Sequence, residues 1–210
     1  MDTENLEQRS AEWVAARLGK VTASRVADVM ARTKTGYGAS RANYMAELLC
    51  ERLTNTQAYR FTSAEMQRGT DLEPEARTAY SFIHSKTVEE TGFVIHPRIA
   101  NFGASPDGLI GEDGLVEIKC PSSATHIEYL LSGDVPGKYN TQMQAQMACT
   151  GRAWCDFVSY DSRLPEELHL FVRRVKRDPA FIATMEQEIR TFLAELDAME
   201  SKLRNLAEAA

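Results

Sequence analysis

The feature that most constrains this chain is the run Ser105-Pro106-Asp107-Gly108, with Glu117-Ile118-Lys119 beginning ten residues after Asp107. The stretch Leu115-Val116-Glu117-Ile118-Lys119 reads as a strand, and side chains two apart on a strand share a face. Leu115, Glu117 and Lys119 therefore point one way. Gly103, Gly108, Gly111 and Gly114 bracket the segment and are read as tight turns. A hairpin folded there returns Asp107, at its mouth, to the side of Glu117. Two carboxylates and a lysine then converge on one point.

Hard divalent cations take oxygen ligands, and Mg²⁺ in phosphate chemistry is typically held by one or two carboxylates plus waters and substrate oxygens. Asp107 and Glu117 fit that demand. Lys119 reaches the same place from the same face, where an ammonium positions a water or offsets phosphate charge. A metal beside it is expected to lower its pKa. The spacing alone is loose, and it also fits an Asp-Gly turn followed by a solvent-facing ion pair.

Other runs narrow the choice. In order they are Arg17-Leu18-Gly19-x-Val21-Thr22-Ala23-Ser24, Arg68-Gly69-x-x-Leu72-Glu73-Pro74-x-Ala76-Arg77, Ser105-Pro106-Asp107-Gly108-Leu109, Glu117-Ile118-Lys119-Cys120-Pro121 and Tyr139-x-x-Gln142-x-Gln144. On these five motifs the chain resembles the phage lambda exonuclease family, the YqaJ-like viral recombinases, within the PD-(D/E)xK nuclease superfamily. The resemblance runs over most of the chain. It implies an α+β fold with a restriction-endonuclease-like core, a mixed central sheet flanked by helices.

The resemblance also assigns roles. Asp107 and Glu117, with the carbonyl of Ile118 and the carboxylate of Glu73, would hold one or two Mg²⁺ ions, with Mn²⁺ as a substitute; Lys119 would orient and help deprotonate water. Glu73 also suits an i,i+4 surface pair with Arg77. Gln142 is favoured over Gln144 as the helix residue facing the site, because its spacing from Tyr139 puts both on one face. Arg17, Ser24 and Ser105 match positions that hold the 5′-phosphate of the digested strand. Gly19 and the Thr22 or Ser24 cap suggest a helix N-terminus suited to an anion. Arg32 and Lys34 are expected to grip the duplex upstream. His84, His96, His126 and His169 show no ligand spacing, and Trp13 and Trp154 read as core fillers.

The implied activity is 5′-to-3′ digestion of one strand of linear duplex DNA, releasing mononucleotides and leaving a 3′ overhang. Implied partners are duplex ends, a single-strand annealing protein, and further copies of the chain in a trimeric ring. Two alternatives share the motif: an endonuclease with the same chemistry, and a catalytically silent DNA-end-binding module.

Composition agrees with one exonuclease domain over 1–210: 210 residues at 43% hydrophobic suffice for a sizeable core. Asp2, Glu4 and Glu7 do not suggest a basic leader, and no stretch approaches the roughly 18 apolar residues of a membrane span, so a cytoplasmic phage or prophage protein is expected. Cys50, Cys120, Cys149 and Cys155 form no C-x-x-C pair, which argues against zinc, iron-sulfur and disulfide frameworks. The net charge of −6 hides an asymmetry. Residues 17–41 carry Arg17, Lys20, Arg25, Arg32, Lys34 and Arg41 against Asp28, whereas the chain from Asp178 onward is acidic. A basic face for DNA with a remote acidic end is the expectation.

Helices are expected near 10–18, 22–31, 40–53, 63–84 and 138–150, with strands within 92–119 and near 155–161 and 167–175. After Asp178-Pro179, the residues Ile182, Met185, Ile189, Phe192, Leu196, Met199, Leu203 and Leu206 follow a 3,4 spacing. This predicts an amphipathic helix over 178–206, packed on its own domain or on another subunit.

Overall fold

The computed structural model describes residues 3–58 and 63–209. Its central sheet has the strand order β6-β7-β8-β9, with β6 Gly108–Ile110, β7 Gly114–Lys119, β8 Trp154–Tyr160 and β9 Leu170–Lys176. β6 and β8 flank β7, the first antiparallel and the second parallel, and β9 closes the sheet antiparallel to β8. A parallel neighbour needs a long crossover. Helices α5 (Ser123–Ser132) and α6 (Gly137–Thr150) supply it.

Alternation along β7 divides the core. Val116 and Ile118 face Ala76 and Tyr80 of α4 (Ala64–His84), together with Val158 and Tyr160 of β8. Leu115 packs on the opposite face with Phe157, Met143, Met147 and Tyr129, under α5 and α6. Leu115, Glu117 and Lys119 do share a face, the one covered by α6.

A second sheet, β1-β5-β4, is built from β1 Val21–Thr22, β4 Val94–Ile95 and β5 Phe102–Ala104. It packs with α2 (Val26–Val29), α3 (Ala39–Thr54), α6 and α7 (Pro179–Glu208). α1 spans Ala11–Arg17, and a hairpin of β2 (Arg32–Thr33) and β3 (Gly36–Tyr37) precedes α3. Side-chain caps mark the helix starts: Ser10 accepts from the amide of Trp13, Ser63 from Met66, Ser122 from Thr125, and Asp178 from Ala180 and Phe181.

The C-terminal stripe divides. Ile182, Met185, Ile189, Phe192 and Leu196 are buried against the chain's own core, each contributing about 1.5–3 kcal/mol of transfer free energy before ordering costs. Met199, Leu203 and Leu206 are exposed.

Several expectations change. The expected helix over 22–31 is a strand, a 3₁₀ turn at Ala23–Arg25 and the short α2, because Thr22 is drawn into pairing with Gly103. The strand region 92–119 divides between two sheets, and Ser105-Pro106-Asp107 is the link between them. Of the glycines read as turns, only Gly111 takes a positive φ, +53°. Gly108 and Gly114 instead admit close neighbours: a Cβ on Gly114 would lie 2.2 Å from the Trp154 ring, and one on Gly108 2.1 Å from Val88 Cγ1. The acidic end is not remote either. Glu188, Glu195 and Asp197 of α7 take ion pairs from Arg32, Arg41 and Arg52, because the apolar stripe lays α7 along α3.

Candidate active site

Register sets the site. Gly108 pairs with Val116, so Asp107, the next residue out, stands across from Glu117. Asp107 Oδ2 accepts the Ile118 amide at 2.6 Å, which ties the first carboxylate to the strand that carries the second. Glu117 is fully buried and has three donors. Gln142 Nε2 of α6 reaches Oε1 at 2.6 Å, Gln146 Nε2 reaches Oε2 at 2.5 Å, and Lys119 forms an ion pair with Oε1. The Lys119 side chain keeps 28% of its exposure and lies 5.3 Å from the centre of the Tyr139 ring. Lys119, Asp107 and Gln142 are each half-buried, whereas Glu117 and Gln146 are enclosed.

The electrostatics follow from crowding. Burial, and then the charge of Glu117, push the Asp107 carboxyl well above the ordinary carboxylate range. Burial alone would lower the Lys119 pKa, but Glu117 and Asp107 outweigh it and the net shift is upward. In the chain itself the direction is therefore opposite to the lowering expected of a metal-crowded lysine. Burial raises the Cys120 thiol to about 12, and the nearby charges of Glu73 and Asp107 push the same way.

Glu73 lies close enough to raise Asp107 electrostatically, but its oxygens are taken by Arg9 Nη2 at 2.5 Å and by Arg77 Nη2 at 3.1 Å. The i,i+4 pair with Arg77 weighed in the sequence is present. Among the described residues no three His, Cys, Asp or Glu side chains are grouped to hold a metal. The donor set still fits a hard cation of the Mg²⁺ type, which needs only one or two carboxylates. Asp107 and Glu117 are two mutually repelling carboxylates at a point where a divalent charge would relieve both.

Next to this cluster lies a second one. Ser105 Oγ, two residues before Asp107, accepts from Arg17 Nη1 and from Trp13 Nε1, both at 3.0 Å, and the Arg17 guanidinium lies 3.9 Å from the centre of the Trp13 ring. Arg17 and Ser105 are thus brought together. Ser24 follows β1 as Ser105 follows β5; the strands are parallel with Thr22 opposite Gly103, so both serines leave the same sheet end. Ser24 is exposed and its hydroxyl lies 3.4 Å from that of Thr22. A cavity of about 80 Å³ lined by Trp13, Arg17, Lys20 and Thr22 adjoins them.

Other expected residues lie elsewhere. Arg32 pairs with Glu188 at 2.6 Å and stacks over Tyr37, while Lys34 lies at the exposed tip of the β2–β3 hairpin. Gln144 is structural, bonded to the Lys176 carbonyl and the Asp178 amide. Gln146 and Trp13 were missed by sequence reasoning. Gln146 follows Gln142 by four residues, one helical turn, and that spacing is the signal that finds it.

These observations can be set beside known proteins. The YqaJ-like viral recombinase domain matches residues 12–153. The chain belongs to the YqaJ-like family. Among solved structures, an alkaline exonuclease from Laribacter hongkongensis, LHK-Exo, is 57% identical, covering 96% of this chain and 100% of that one with a TM-score of 0.89. LHK-Exo in complex with dAMP matches at the same identity and coverage, with a TM-score of 0.90. A phage-related exonuclease from Haemophilus somnus shares the fold at 14% identity, with a TM-score of 0.69 over 88% of this chain and 96% of that one. No curated protein matches the chain. The expected YqaJ-like resemblance and mixed α+β fold are both borne out for this member of the family.

Proposed function

We propose that this YqaJ-like protein is a divalent-metal-dependent 5′-to-3′ exonuclease that digests one strand of linear duplex DNA from a 5′-phosphorylated end. Family membership and the 57% identity to an alkaline exonuclease support a DNA exonuclease. The observation that carries the finer reading is Ser105. Its hydroxyl is held by Arg17 and Trp13 two residues before Asp107, so a cationic, hydroxyl-bearing pocket adjoins the two carboxylates and Lys119.

Asp107, Glu117 and the Ile118 carbonyl would hold the metal, with Glu73 joining only on release from Arg9 and Arg77. A bound divalent ion of the Mg²⁺ or Mn²⁺ type supplies an activated water and offsets charge on the leaving oxygen. Gln142 and Gln146 fix the Glu117 carboxylate. Lys119 donates from its ammonium to the attacking water or to a phosphate oxygen. Arg17, Ser105 and Ser24 bind the terminal phosphate, and that binding sets the first phosphodiester over the carboxylates. Water attacks the phosphorus that joins the terminal nucleotide to the next, and its bond to the 3′ oxygen of the terminal sugar breaks. The terminal nucleotide leaves with a free 3′-hydroxyl, while the shortened strand keeps a 5′-phosphate for the next cut.

Repeated cutting leaves a 3′ overhang, the substrate of a single-strand annealing protein, and the reading includes that partner and a cytoplasmic phage or prophage setting. No described helix is long and apolar enough to cross a membrane. The reading also includes a homotrimer, with exposed Met199, Leu203 and Leu206 as apolar residues for a neighbouring copy to cover.

The test is digestion with Mg²⁺ of a linear duplex carrying one 5′-phosphate and one 5′-hydroxyl end, beside a closed circle. Mononucleotides released from the phosphorylated end alone are expected. Cutting of the circle would establish an endonuclease, and equal digestion of both ends would remove the basis for the phosphate pocket.

A further inference from the structure

Beyond the motif residues, the molecule holds a pair of arginines on the rim of the same sheet end. Asp161, just past the end of β8, is fully buried. Its Oδ1 accepts from Arg163 Nε at 2.7 Å and from Arg68 Nη2 at 3.2 Å, and its Oδ2 accepts from Arg163 Nη2 at 3.0 Å. Both guanidiniums also donate to the Pro121 carbonyl, Arg68 at 3.3 Å and Arg163 at 3.2 Å. One carboxylate and one carbonyl thus hold two cations side by side.

Three features make this a binding device as well as a brace. The cluster carries one negative charge against two positive ones; Glu65 on α4 is a further carboxylate whose field reaches Arg163. Each guanidinium has five N–H donors, and the bonds to Asp161 and Pro121 use two nitrogens of each. The arginine side chains retain 31% and 47% exposure although their anchor has none. Guanidiniums already fixed in place lose little entropy on meeting a phosphate.

Position supplies the ligand. Lys119 pairs with Ser159 in the parallel β7–β8 ladder, so Pro121 and Asp161 lie two residues further along each strand, about 7 Å away. Gly69, next to Arg68, brings α4 against the same segment: a Cβ there would lie 3.4 Å from the Cys120 carbonyl oxygen. We propose that Arg68 and Arg163, held as a pair by Asp161, bind the DNA phosphate adjoining the scissile one and so position the strand over Asp107, Glu117 and Lys119. This rests on the exonuclease reading and adds positioning residues to it.

The test compares the unmodified protein with Arg68→Gln, Arg163→Gln and Arg163→Lys, each checked by thermal melt. Duplex binding without metal is followed by fluorescence anisotropy over a salt series, and digestion with Mg²⁺ gives KM and kcat. Each Gln variant is expected to reduce the slope of log affinity against log salt by about 1 and to raise KM more than it lowers kcat, while Arg163→Lys keeps the slope. Folded Gln variants with the original slope and KM would overturn the proposal and leave Asp161 with a purely structural clamp. If Arg163→Gln does not fold, Arg68→Gln decides alone. Failure of the unmodified protein to digest any linear duplex would instead remove the exonuclease reading itself.

Discussion

Replacing Gln146 with Met keeps side-chain volume and deletes one donor to a carboxylate that has no access to water. Glu117 is fully buried; Gln142 and Lys119 serve Oε1, and Gln146 serves Oε2. Loss of a hydrogen bond to a charged group costs about 1.5–3 kcal/mol. For a domain of this size that is a drop in Tm of about 3–12 °C. The Cys155 thiol, 3.9 Å from Gln146 Oε1, loses only a weak partner. If Glu117 holds a metal as proposed, loss of this supporting hydrogen bond is expected to reduce metal affinity or activity by about 10–100-fold. The assay pairs a thermal melt in EDTA and in Mg²⁺ with the initial rate of mononucleotide release. If Glu117 holds a divalent ion as proposed, the ion would offset the lost donor, and part of the Tm deficit is expected to return with Mg²⁺. An unchanged Tm would refute the energetic argument, and a lowered Tm with an unchanged rate would refute the role of Gln146 in holding Glu117 for chemistry.

Lys119→Met is expected to reduce hydrolysis by at least about 100-fold while leaving duplex affinity largely in place, read by digestion and anisotropy on one preparation; comparable hydrolysis would remove the lysine from the chemistry. Arg17→Ala is expected to erase most of the preference for a 5′-phosphate over a 5′-hydroxyl end, measured as the ratio of initial rates on the two duplexes. His96 gives a pH prediction. It is buried between β4 and α7, within 3.2 Å of Glu186, with Arg98 and Arg190 also contributing to its field, and desolvation lowers its pKa despite Glu186. The unfolded chain then takes up the proton more readily, so this group's stability is complete above its ordinary value of about 6.5 and is lost as pH falls below it. His96→Gln should remove that part of the acid dependence of Tm between pH 7.5 and pH 5.5; an identical dependence would reassign it.

What the sequence revealed, and what it hid, divides by the range of the interaction. Asp107, Glu117 and Lys119 were legible because strand alternation and one short antiparallel register place them, and both are local rules. Gln142 was legible from its helix face, and Gln146 was open to the same argument. Helix α5 was not among the expected elements, although Ser122 caps it. The expected helix after Gly19 lost its first residues to pairing between Thr22 and Gly103, 81 positions away, which no local propensity encodes. The charge asymmetry was real but misread. Its meaning depended on where α7 lies, and the long-range contacts of Arg32, Arg41 and Arg52 with that helix decide it. Trp13 was assigned to the core by residue type, yet its indole N–H is spent on Ser105.

The parallel pairing of β7 with β8 bears on when this protein becomes dangerous to its maker. A nascent chain that has just emitted Lys119 already contains every residue of the Asp-Glu-Lys set, yet β7 then has only β6 for a neighbour. The braces on Glu117 arrive with Gln142 and Gln146, and the second flank of the strand only with residues 154–160. Non-local pairing of this kind forms late and slowly. If Asp107, Glu117 and Lys119 cut DNA as proposed, competence is deferred until most of the polypeptide has left the ribosome, and chains terminated before α6 lack the braces on Glu117.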